Sequence, residues 1–177
     1  MSDKLKGTKT EANLRAAFSG ESQARNRYSY YSDIAKNEGY DEIAKFFEDT
    51  ATNEKIHART WYKLLNGGEM SDTLVNLEEA IKGEKFEYSE MYPTFARAAA
   101  EEGFNEIAFL FTEIGRIERK HEEQCKAILE SLKNGKAMEL KMPDITCLDC
   151  GHDFMDGENV DTCPVCGAGS AFFMRKV

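Results

Sequence analysis

The stretch Glu38-Gly-Tyr-Asp-Glu-Ile-Ala44 returns at residues 102–108 as Glu-Gly-Phe-Asn-Glu-Ile-Ala, an offset of 64 residues (38 to 102). At the same offset, Glu54-Lys-Ile-His57 returns as Glu118-Arg-Lys-His121. Caps and apolar periods are common to unrelated helical hairpins, but they do not explain a matching Glu-x-x-His pair. The repeat therefore predicts two helical hairpins of common origin, each carrying the same two polar side chains.

Four long helices are predicted within residues 8–134, where only one proline occurs. Apolar periodicity and turn signals place them at about Thr10–Asn37, Asp41–Leu65, Gly83–Ala100 and Asn105–Lys133, with a short helix at Asp72–Ile81 and with Asp41 and Asn105 as caps. Pro93 is expected to kink the third long helix or to end its first segment. Two tight turns and one long connection predict a mainly α, ferritin-like four-helix bundle with one long crossover.

The composition changes near residue 140. Residues 143–177 hold four of the five cysteines and two of the three prolines, and Pro143 marks the expected boundary. We therefore predict one domain at residues 1–140 and a second at residues 141–177. A segment of about 35 residues is too small to hold a core without a metal or a cross-link.

The Glu-x-x-His pairs interrupt apolar stripes on the second and fourth helices. On the second helix the stripe, spaced alternately by four and three, is Ile43, Phe47, Thr50, Glu54, His57, Trp61 and Leu64. On the fourth it is Ile107, Phe111, Ile114, Glu118, His121, Cys125, Ile128 and Leu132. Burial of an unpaired carboxylate destabilises a protein by several kcal/mol. Acids at equivalent places on two such stripes therefore need positive charge beside them, and a pair of metal ions provides it.

The first and third helices supply further carboxylates. The predicted metal ligands are Glu21, Glu54, His57, Glu87, Glu90, Glu118 and His121. One Glu from each of two helices with two Glu-x-x-His pairs is a di-iron carboxylate pattern, and this chain has one Glu more. Glu and His three residues apart are also common on exposed helix faces, but two such pairs in repeat register favour the metal site. Hard oxygen donors with two imidazoles suit iron or manganese.

Two other residues lie near these acids in the sequence. Tyr28, two turns after Glu21, is expected either to hydrogen-bond a ligand or donate a proton, or to be a core tyrosine whose hydroxyl has a polar neighbour. Cys125, one turn after His121, is expected to be a small buried hydrophobic residue rather than a ligand.

Four cysteines form two knuckles, Cys147-Leu-Asp-Cys150-Gly and Cys163-Pro-Val-Cys166-Gly. This spacing predicts a tetrathiolate site for zinc or iron, with zinc somewhat favoured from spacing alone because structural zinc is common. A carboxylate-bridged di-iron site needs a one-electron donor, and an Fe(Cys)₄ centre is one, so the context favours iron. The neighbouring His152, Phe154, Phe172 and Phe173 are expected to border the centre or to form the small core of the segment.

Charge and hydropathy restrict the partners and the compartment. The net charge of −9 offers no basic surplus for phosphates, so nucleic acid is not an expected partner. No apolar run approaches the ~18 residues of a membrane span, and the N-terminus lacks an apolar signal core. We therefore expect no membrane partner and a cytoplasmic location, where thiols stay reduced and cysteines bind metals rather than form disulfides.

Taken together, these motifs resemble the rubrerythrin family. The stretches that carry the resemblance are Phe18-Ser-Gly-Glu21-Ser-Gln-Ala-Arg-Asn-Arg-Tyr28, Glu54-x-x-His57, Glu87-Tyr-Ser-Glu90-Met-Tyr-Pro93, Glu118-x-x-His121 and the two cysteine knuckles. They cover almost the whole chain, in the order of a ferritin-like domain followed by a rubredoxin-like domain. Phe104 departs from members that have a tyrosine there, so the resemblance does not imply a second tyrosine near the metals.

The resemblance implies a non-haem di-iron peroxidase that reduces hydrogen peroxide to water and protects against oxidative stress. Electrons would pass from NAD(P)H through a separate reductase, or from a rubredoxin, to the Fe(Cys)₄ centre and then to the di-iron site. It implies a homodimer or a larger assembly, often with the rubredoxin-like part of one subunit near the di-iron site of another. Zinc is expected to be able to take the place of iron.

The resemblance also implies a role for each ligand. Glu54 and Glu118 would bridge the irons, Glu21 and Glu87 would be terminal ligands, and His121 would hold one iron, while Glu90 and His57 would exchange on the other. Glu54, Glu90, His57 and Tyr28 are the expected catalytic residues. Two other classes of function stay open: an iron-storage or ferroxidase protein, and a zinc-ribbon interaction protein with a vestigial bundle.

Overall fold

A computed structural model describes residues 2–135, 145–155 and 160–175. Its helices are α1 (Ser2–Leu5), α2 (Lys9–Asn37), α3 (Asp41–Leu65), α4 (Thr73–Phe86), α5 (Tyr92–Glu101) and α6 (Asn105–Asn134), and its strands are β1 (Ile145–Cys147) and β2 (Phe173–Arg175). The predicted mainly α fold class, with its long helices followed by a small cysteine segment, is confirmed. The predicted domain boundary at residue 140 and Pro143 lie outside the described residues and stay predictions.

The helix starts differ from the sequence prediction in their caps. Asp41 and Asn105 were predicted as caps, which is wrong, because each is the first residue of its helix. The cap positions belong to Tyr40 and Phe104, and neither side chain makes a capping hydrogen bond. Each follows a glycine with positive φ that reverses the chain, and backbone bonds satisfy the turn, as in Tyr40 N to Ala35 O at 2.8 Å.

The predicted short helix and the third long helix form one helical run from Thr73 to Glu101. Asp72 caps this run by accepting a hydrogen bond from the N–H of Val75 at 2.9 Å. The connection after α3 therefore comprises only residues 66–72. Gly83, which was read as the start of a new helix, lies inside α4, because an interior glycine costs only about 1 kcal/mol relative to alanine.

A π-helical turn, Glu87–Met91, joins α4 to α5. Here the N–H of Tyr92 donates to the carbonyl of Glu87, five residues back instead of four. Pro93, which has no N–H to donate, follows this turn directly, so the missing hydrogen bond falls where the helix returns from the π turn to α-helix. The expected effect of Pro93 therefore takes the form of a widened turn within a continuing helix.

The chain divides into two compact units, Met1–Ser71 and Asp72–Val177. In the first unit α2 packs against α3, with the rings of Phe18 and Tyr62 5.5 Å apart. In the second unit α4 and α5 pack against α6, with the rings of Phe95 and Phe111 5.6 Å apart. Each hairpin of the predicted repeat thus folds as part of its own unit.

The predicted stripes are only partly buried within these units. Ala44, Ala51 and Ala58, on the neighbouring face of α3, are buried, whereas Ile43 is 49% exposed. Ile107, its repeat counterpart on α6, is 45% exposed. The predicted burial of these two isoleucines is therefore wrong for the described residues; on α3 the buried face is the one that carries Ala44, and Ile43 lies outside it.

The C-terminal segment is built on two short antiparallel strands and two glycine turns. Strands β1 and β2 pair with Cys147 opposite Phe173. Gly151 and Gly167 have φ values of 81° and 77°, which favour glycine, and each closes the turn of one cysteine knuckle. The rings of Phe154 and Phe173 lie 4.6 Å apart, so these two phenylalanines form the core of the segment, as one of the two predicted alternatives had it. None of the described helices combines the length and apolar character that a membrane span requires.

Candidate metal centres

The first unit brings together Glu21 from α2 and the Glu-x-x-His pair of α3. One ligand atom from each of Glu21, Glu54 and His57 lies within 4.8 Å of the others. The Nδ1 atom of His57 is 2.8 Å from Glu54 Oε2 and 3.9 Å from Glu21 Oε2. Because Glu54 and His57 are three residues apart on α3, their side chains lie on one face of the helix. Glu21 approaches this face from α2, which packs against α3. These three residues are named the first triad.

The second unit holds a matching cluster on α4 and α6, the second triad. Its members are Glu84, Glu118 and His121, again with ligand atoms within 4.8 Å of one another. The Nδ1 atom of His121 is 2.7 Å from Glu118 Oε2 and 4.0 Å from Glu84 Oε2. The two triads therefore reproduce each other's donor types and distances, as the sequence repeat predicts for their Glu-x-x-His pairs.

Glu84 was not among the predicted ligands, although the sequence carried a signal for it. Gly83-Glu84 repeats Gly20-Glu21, but at an offset of 63 residues (21 to 84) rather than 64. The offset returns to 64 at Tyr28 and Tyr92. The π turn lies between the two positions and contains the additional residue, so a search at one fixed offset passes over Glu84.

The two predicted ligands on the π turn have different surroundings. Burial, followed by the charge of Glu118, raises the pKa of the Glu87 carboxyl, so Glu87 lies close to the second triad. Glu90 is exposed to solvent. Neither belongs to a triad in the described part of the chain, whereas the other five predicted ligands of the carboxylate site do.

The electrostatics of the second triad fit a bound cation. Burial and then the charge of Glu118 raise the pKa of Glu84 above its ordinary value, as they do for Glu87. Carboxylates held together in this way resist ionisation unless a positive charge joins them. Two carboxylates and an imidazole per triad are the hard oxygen and nitrogen donors that iron and manganese accept. The residues present therefore fit the predicted metal pair.

Two tyrosines occupy equivalent places in the repeat. The ring of Tyr28 lies 6.0 Å from those of Tyr31 and Phe47, so Tyr28 is part of an aromatic cluster. Its counterpart Tyr92 was not predicted as a site residue. Burial and then the charge of Glu118 raise the pKa of Tyr92, so its hydroxyl stays protonated next to the second triad.

The four predicted cysteine ligands converge, with their sulfur atoms within 4.8 Å of one another. The Sγ atoms of Cys147 and Cys166 are 3.7 Å apart, and those of Cys150 and Cys163 are 3.6 Å apart. Cys147 and Cys163 are buried. This arrangement confirms the predicted four-cysteine cluster, whose donor set suits iron or zinc.

Burial and backbone N–H groups shift the pKa values of the cysteine thiols. Burial raises the pKa of the Cys147 thiol, but the N–H groups of Cys150 and Asp149 point at its sulfur, and the net result is a lowered pKa. Burial raises the pKa of Cys150 and of Cys166 despite an N–H donated to each sulfur. A metal that binds here must displace protons from at least these two thiols.

Cys125 was predicted to be a small buried hydrophobic residue rather than a ligand. It is half-buried on α6 and belongs to none of the clusters found among the described residues. Burial, followed by the charges of Glu84 and Glu122, raises the pKa of its thiol. Cys125 therefore stays a protonated, weakly reactive side chain at neutral pH.

Comparison with known proteins shows which family this chain is similar to. The rubrerythrin family model matches residues 12–129. The chain is 40% identical to rubrerythrin-1 of Clostridium acetobutylicum, over 96% of this chain and 95% of that protein. It is 38% identical to the rubrerythrin of Porphyromonas gingivalis, over 98% of this chain and 92% of that protein. A solved structure described as the fully reduced, all-ferrous state of nigerythrin is 30% identical, covers 96% of this chain and 87% of its own, and has a TM-score of 0.42.

Proposed function

The chain belongs to the rubrerythrin family, and from this membership we propose that it is a peroxidase that reduces hydrogen peroxide to water. The family consists of iron-binding oxidoreductases of oxidative-stress defence with a di-iron site and an Fe–Cys site. We propose hydrogen peroxide as the substrate of this chain. The observation that carries it is the pair of matched triads together with the four-cysteine cluster in one chain.

The two triads are proposed to serve one pair of iron ions. Glu54 and Glu118 would bridge the irons, Glu21 would be a terminal ligand, and His121 would hold one iron. Glu90 and His57 would exchange on the other iron. Glu87 is the proposed terminal ligand from the third helix, and Glu84 joins it because its carboxylate already lies in the second triad.

The reaction requires two electrons and two protons for each peroxide, giving two molecules of water. The iron pair, when bound, supplies the two electrons. The chain's own residues hold the protons: the hydroxyl of Tyr92 is kept protonated by burial and by the carboxylates around it. Tyr28 is the equivalent donor of the first hairpin, and Glu54, His57 and Glu90 are the proposed catalytic ligands.

The four-cysteine cluster is proposed to hold one iron as a one-electron carrier, with zinc as a possible substitute. Its electrons would come from a rubredoxin or from an NAD(P)H-linked reductase. The chain would work as a cytoplasmic homodimer or larger homo-oligomer. Support for the carrier role comes from the cluster's four thiols in a chain that also carries the two triads.

Substitution Glu54→Ala tests the proposal. Turnover of hydrogen peroxide should be lost while the thiolate-to-iron absorption of the four-cysteine centre stays unchanged. The exposed Glu48, on the same helix, gives the matched control Glu48→Ala, which should retain turnover. Unimpaired turnover in Glu54→Ala contradicts the proposal, and a mineral core of many irons per chain would instead support iron storage.

A further inference from the structure

A groove lies between α2 and α3 on the surface of the first unit. Its volume is about 290 Å³, and its lining residues run from Phe18 to Met70. We propose that this groove binds a nucleoside monophosphate, with the planar base on its aromatic floor and the phosphate on its cationic rim. No member of the first triad lines the groove, so the proposal does not depend on the proposed function.

The floor of the groove is aromatic and apolar. The rings of Phe18 and Tyr62, one from each helix, lie 5.5 Å apart. Ala58, one turn before Tyr62 on α3, is buried, and its small side chain fills little of the space between the helices. Nucleotide bases stack on aromatic side chains of this kind, because every base has a π face. The floor therefore suits a flat ring.

Three cations line the rim of the groove, Arg25 from α2 with Lys55 and Arg59 from α3. All three residues are exposed, and none of them has an ion-pair partner among the residues that the structure describes. Lys55 and Arg59 are four residues apart on one helix, a spacing at which like charges repel each other. A phosphate in the groove would relieve this repulsion and would accept hydrogen bonds from the guanidinium groups.

The equivalent face of the second hairpin has its cations neutralised. At the repeat offset of 64, the groove residues of α3 correspond as follows: Lys55 to Arg119, Ala58 to Glu122, Arg59 to Glu123 and Tyr62 to Lys126. Nε of Arg119 lies 3.1 Å from Oε1 of Glu123. Nζ of Lys126 lies 2.5 Å from Oε1 of Glu122. The first hairpin has an alanine and an arginine in place of these two acids, so the repeat itself does not require its positive charge.

The size of the groove and the charge of the chain select the ligand. The volume is at the lower end of the range for small-molecule sites, roughly 300–1,000 Å³, so the groove fits a mononucleotide better than a dinucleotide. The exposed Asn26 in its lining offers both a donor and an acceptor to the edge of a base. Because the whole chain carries a net charge of −9, its surface repels anions in general, and binding depends on this local group of cations.

Calorimetric titration of the full-length, iron-loaded protein with adenosine monophosphate tests the site. One molecule should bind to each chain. Adenosine lacks the phosphate, so it should bind at least about tenfold more weakly. The proposal is overturned by adenosine that binds as tightly as the monophosphate, or by the absence of saturable binding below about 1 mM.

Paired variants separate the groove from net charge and from the iron site. Arg25→Gln/Arg59→Gln should weaken binding at least about tenfold, because two charge-assisted hydrogen bonds are lost. Arg27→Gln/Arg97→Gln removes the same charge outside the groove and should bind as the wild type does. Equal weakening in both pairs, or unchanged binding in the groove variant, overturns the proposal. The groove variant should unfold at no lower temperature than the wild type, since one like-charge pair is removed.

Inorganic phosphate distinguishes a nucleotide site from a simple anion site. The part of its binding that is lost in Arg25→Gln/Arg59→Gln should be at least about tenfold weaker than that of adenosine monophosphate, because phosphate makes no contact with the aromatic floor. Equal affinity in this part would show that the groove holds only an anion and would overturn the proposal.

Photoaffinity labelling locates the bound base. Irradiation of the iron-loaded protein with the azido derivative of adenosine monophosphate should attach the label to peptides of α2 or α3 that contain Asn26 or Tyr62. An excess of unmodified adenosine monophosphate should prevent the labelling. Label found only on other peptides, or label that the excess does not prevent, overturns the proposal.

Discussion

Glu84 lies 4.0 Å from Nδ1 of His121, the same relationship that Glu21 has to His57 at 3.9 Å. The two triads therefore share their geometry. The second hairpin nevertheless has one more residue between Glu84 and Tyr92 than the first has between Glu21 and Tyr28. The π turn contains the additional residue and keeps both ends of the helix in register with the repeat. The second hairpin thus retains the triad and also positions Glu87 beside it.

Glu84→Gln should weaken iron binding at the second triad by at least about tenfold, because an amide does not neutralise a cation. Anaerobic titration of the metal-free protein with ferrous iron measures the effect. Glu101→Gln, at the exposed end of α5, is the matched control and should bind as the wild type does. An unchanged titration would show that Glu87 alone supplies the carboxylate of the third helix.

Shortening the π turn tests its role. Deletion of Ser89 should convert the turn to α-helix and leave Glu84 and Tyr92 in the register that Glu21 and Tyr28 have in the uninterrupted α2. The second triad should therefore still bind iron, and the absorption of the four-cysteine centre should remain. Ser89→Ala, which keeps the length of the turn, should bind iron normally. Loss of iron from the carboxylate site in the deletion variant would contradict this role for the turn.

The stability of the metal-free protein should depend on Glu84 and Glu87. The pKa of each carboxyl is raised in the folded state from an ordinary value of 4.5, so above that pH the folded chain binds more protons than the unfolded one. Stability from these groups therefore falls as the pH rises through their raised pKa values. Thermal unfolding between pH 4.5 and 8 should show a smaller fall for the double variant Glu84→Gln/Glu87→Gln. Parallel pH profiles for the two proteins would contradict the prediction.

The Tyr92 hydroxyl should contribute a proton to peroxide cleavage. Tyr92→Phe should lower kcat by roughly 10- to 100-fold, with a smaller effect on KM, because the ring stays and only the proton donor is lost. Tyr28→Phe is the comparison in the first hairpin. Equal and small effects in both variants would assign the two tyrosines to packing alone.

Gly151→Ala should be more harmful than Gly167→Ala. Both glycines have positive φ, so each substitution carries a backbone penalty of about 1 kcal/mol. Only at Gly151 does the added methyl group also meet a neighbour, Ile117, whereas nothing lies within 4 Å at Gly167. Thermal unfolding should show the larger drop in midpoint for Gly151→Ala, and equal drops would argue against the close approach.

The sequence predicted the helices and the cysteine cluster because those depend on local signals and spacing. The Glu-x-x-His pairs identified four of the six triad members, and Glu21 was found from its apolar neighbours. Glu84 was not predicted, because one inserted residue changes the offset of the repeat between Glu21 and Glu84. The contact of Lys120 with Gly151 was also not predicted, since the sequence around a surface lysine does not indicate a partner 31 residues away. Such long-range pairing is decided by tertiary packing rather than by local pattern.

Each triad draws all its members from one unit, and this has a consequence for biosynthesis. The last donor of the first triad is His57, so a growing polypeptide has all three donors when only about a third of it has been translated. Folding of one hairpin is enough to gather them. Loading of the first cation could therefore precede synthesis of the second hairpin, and the order in which the ions enter would follow the direction of translation.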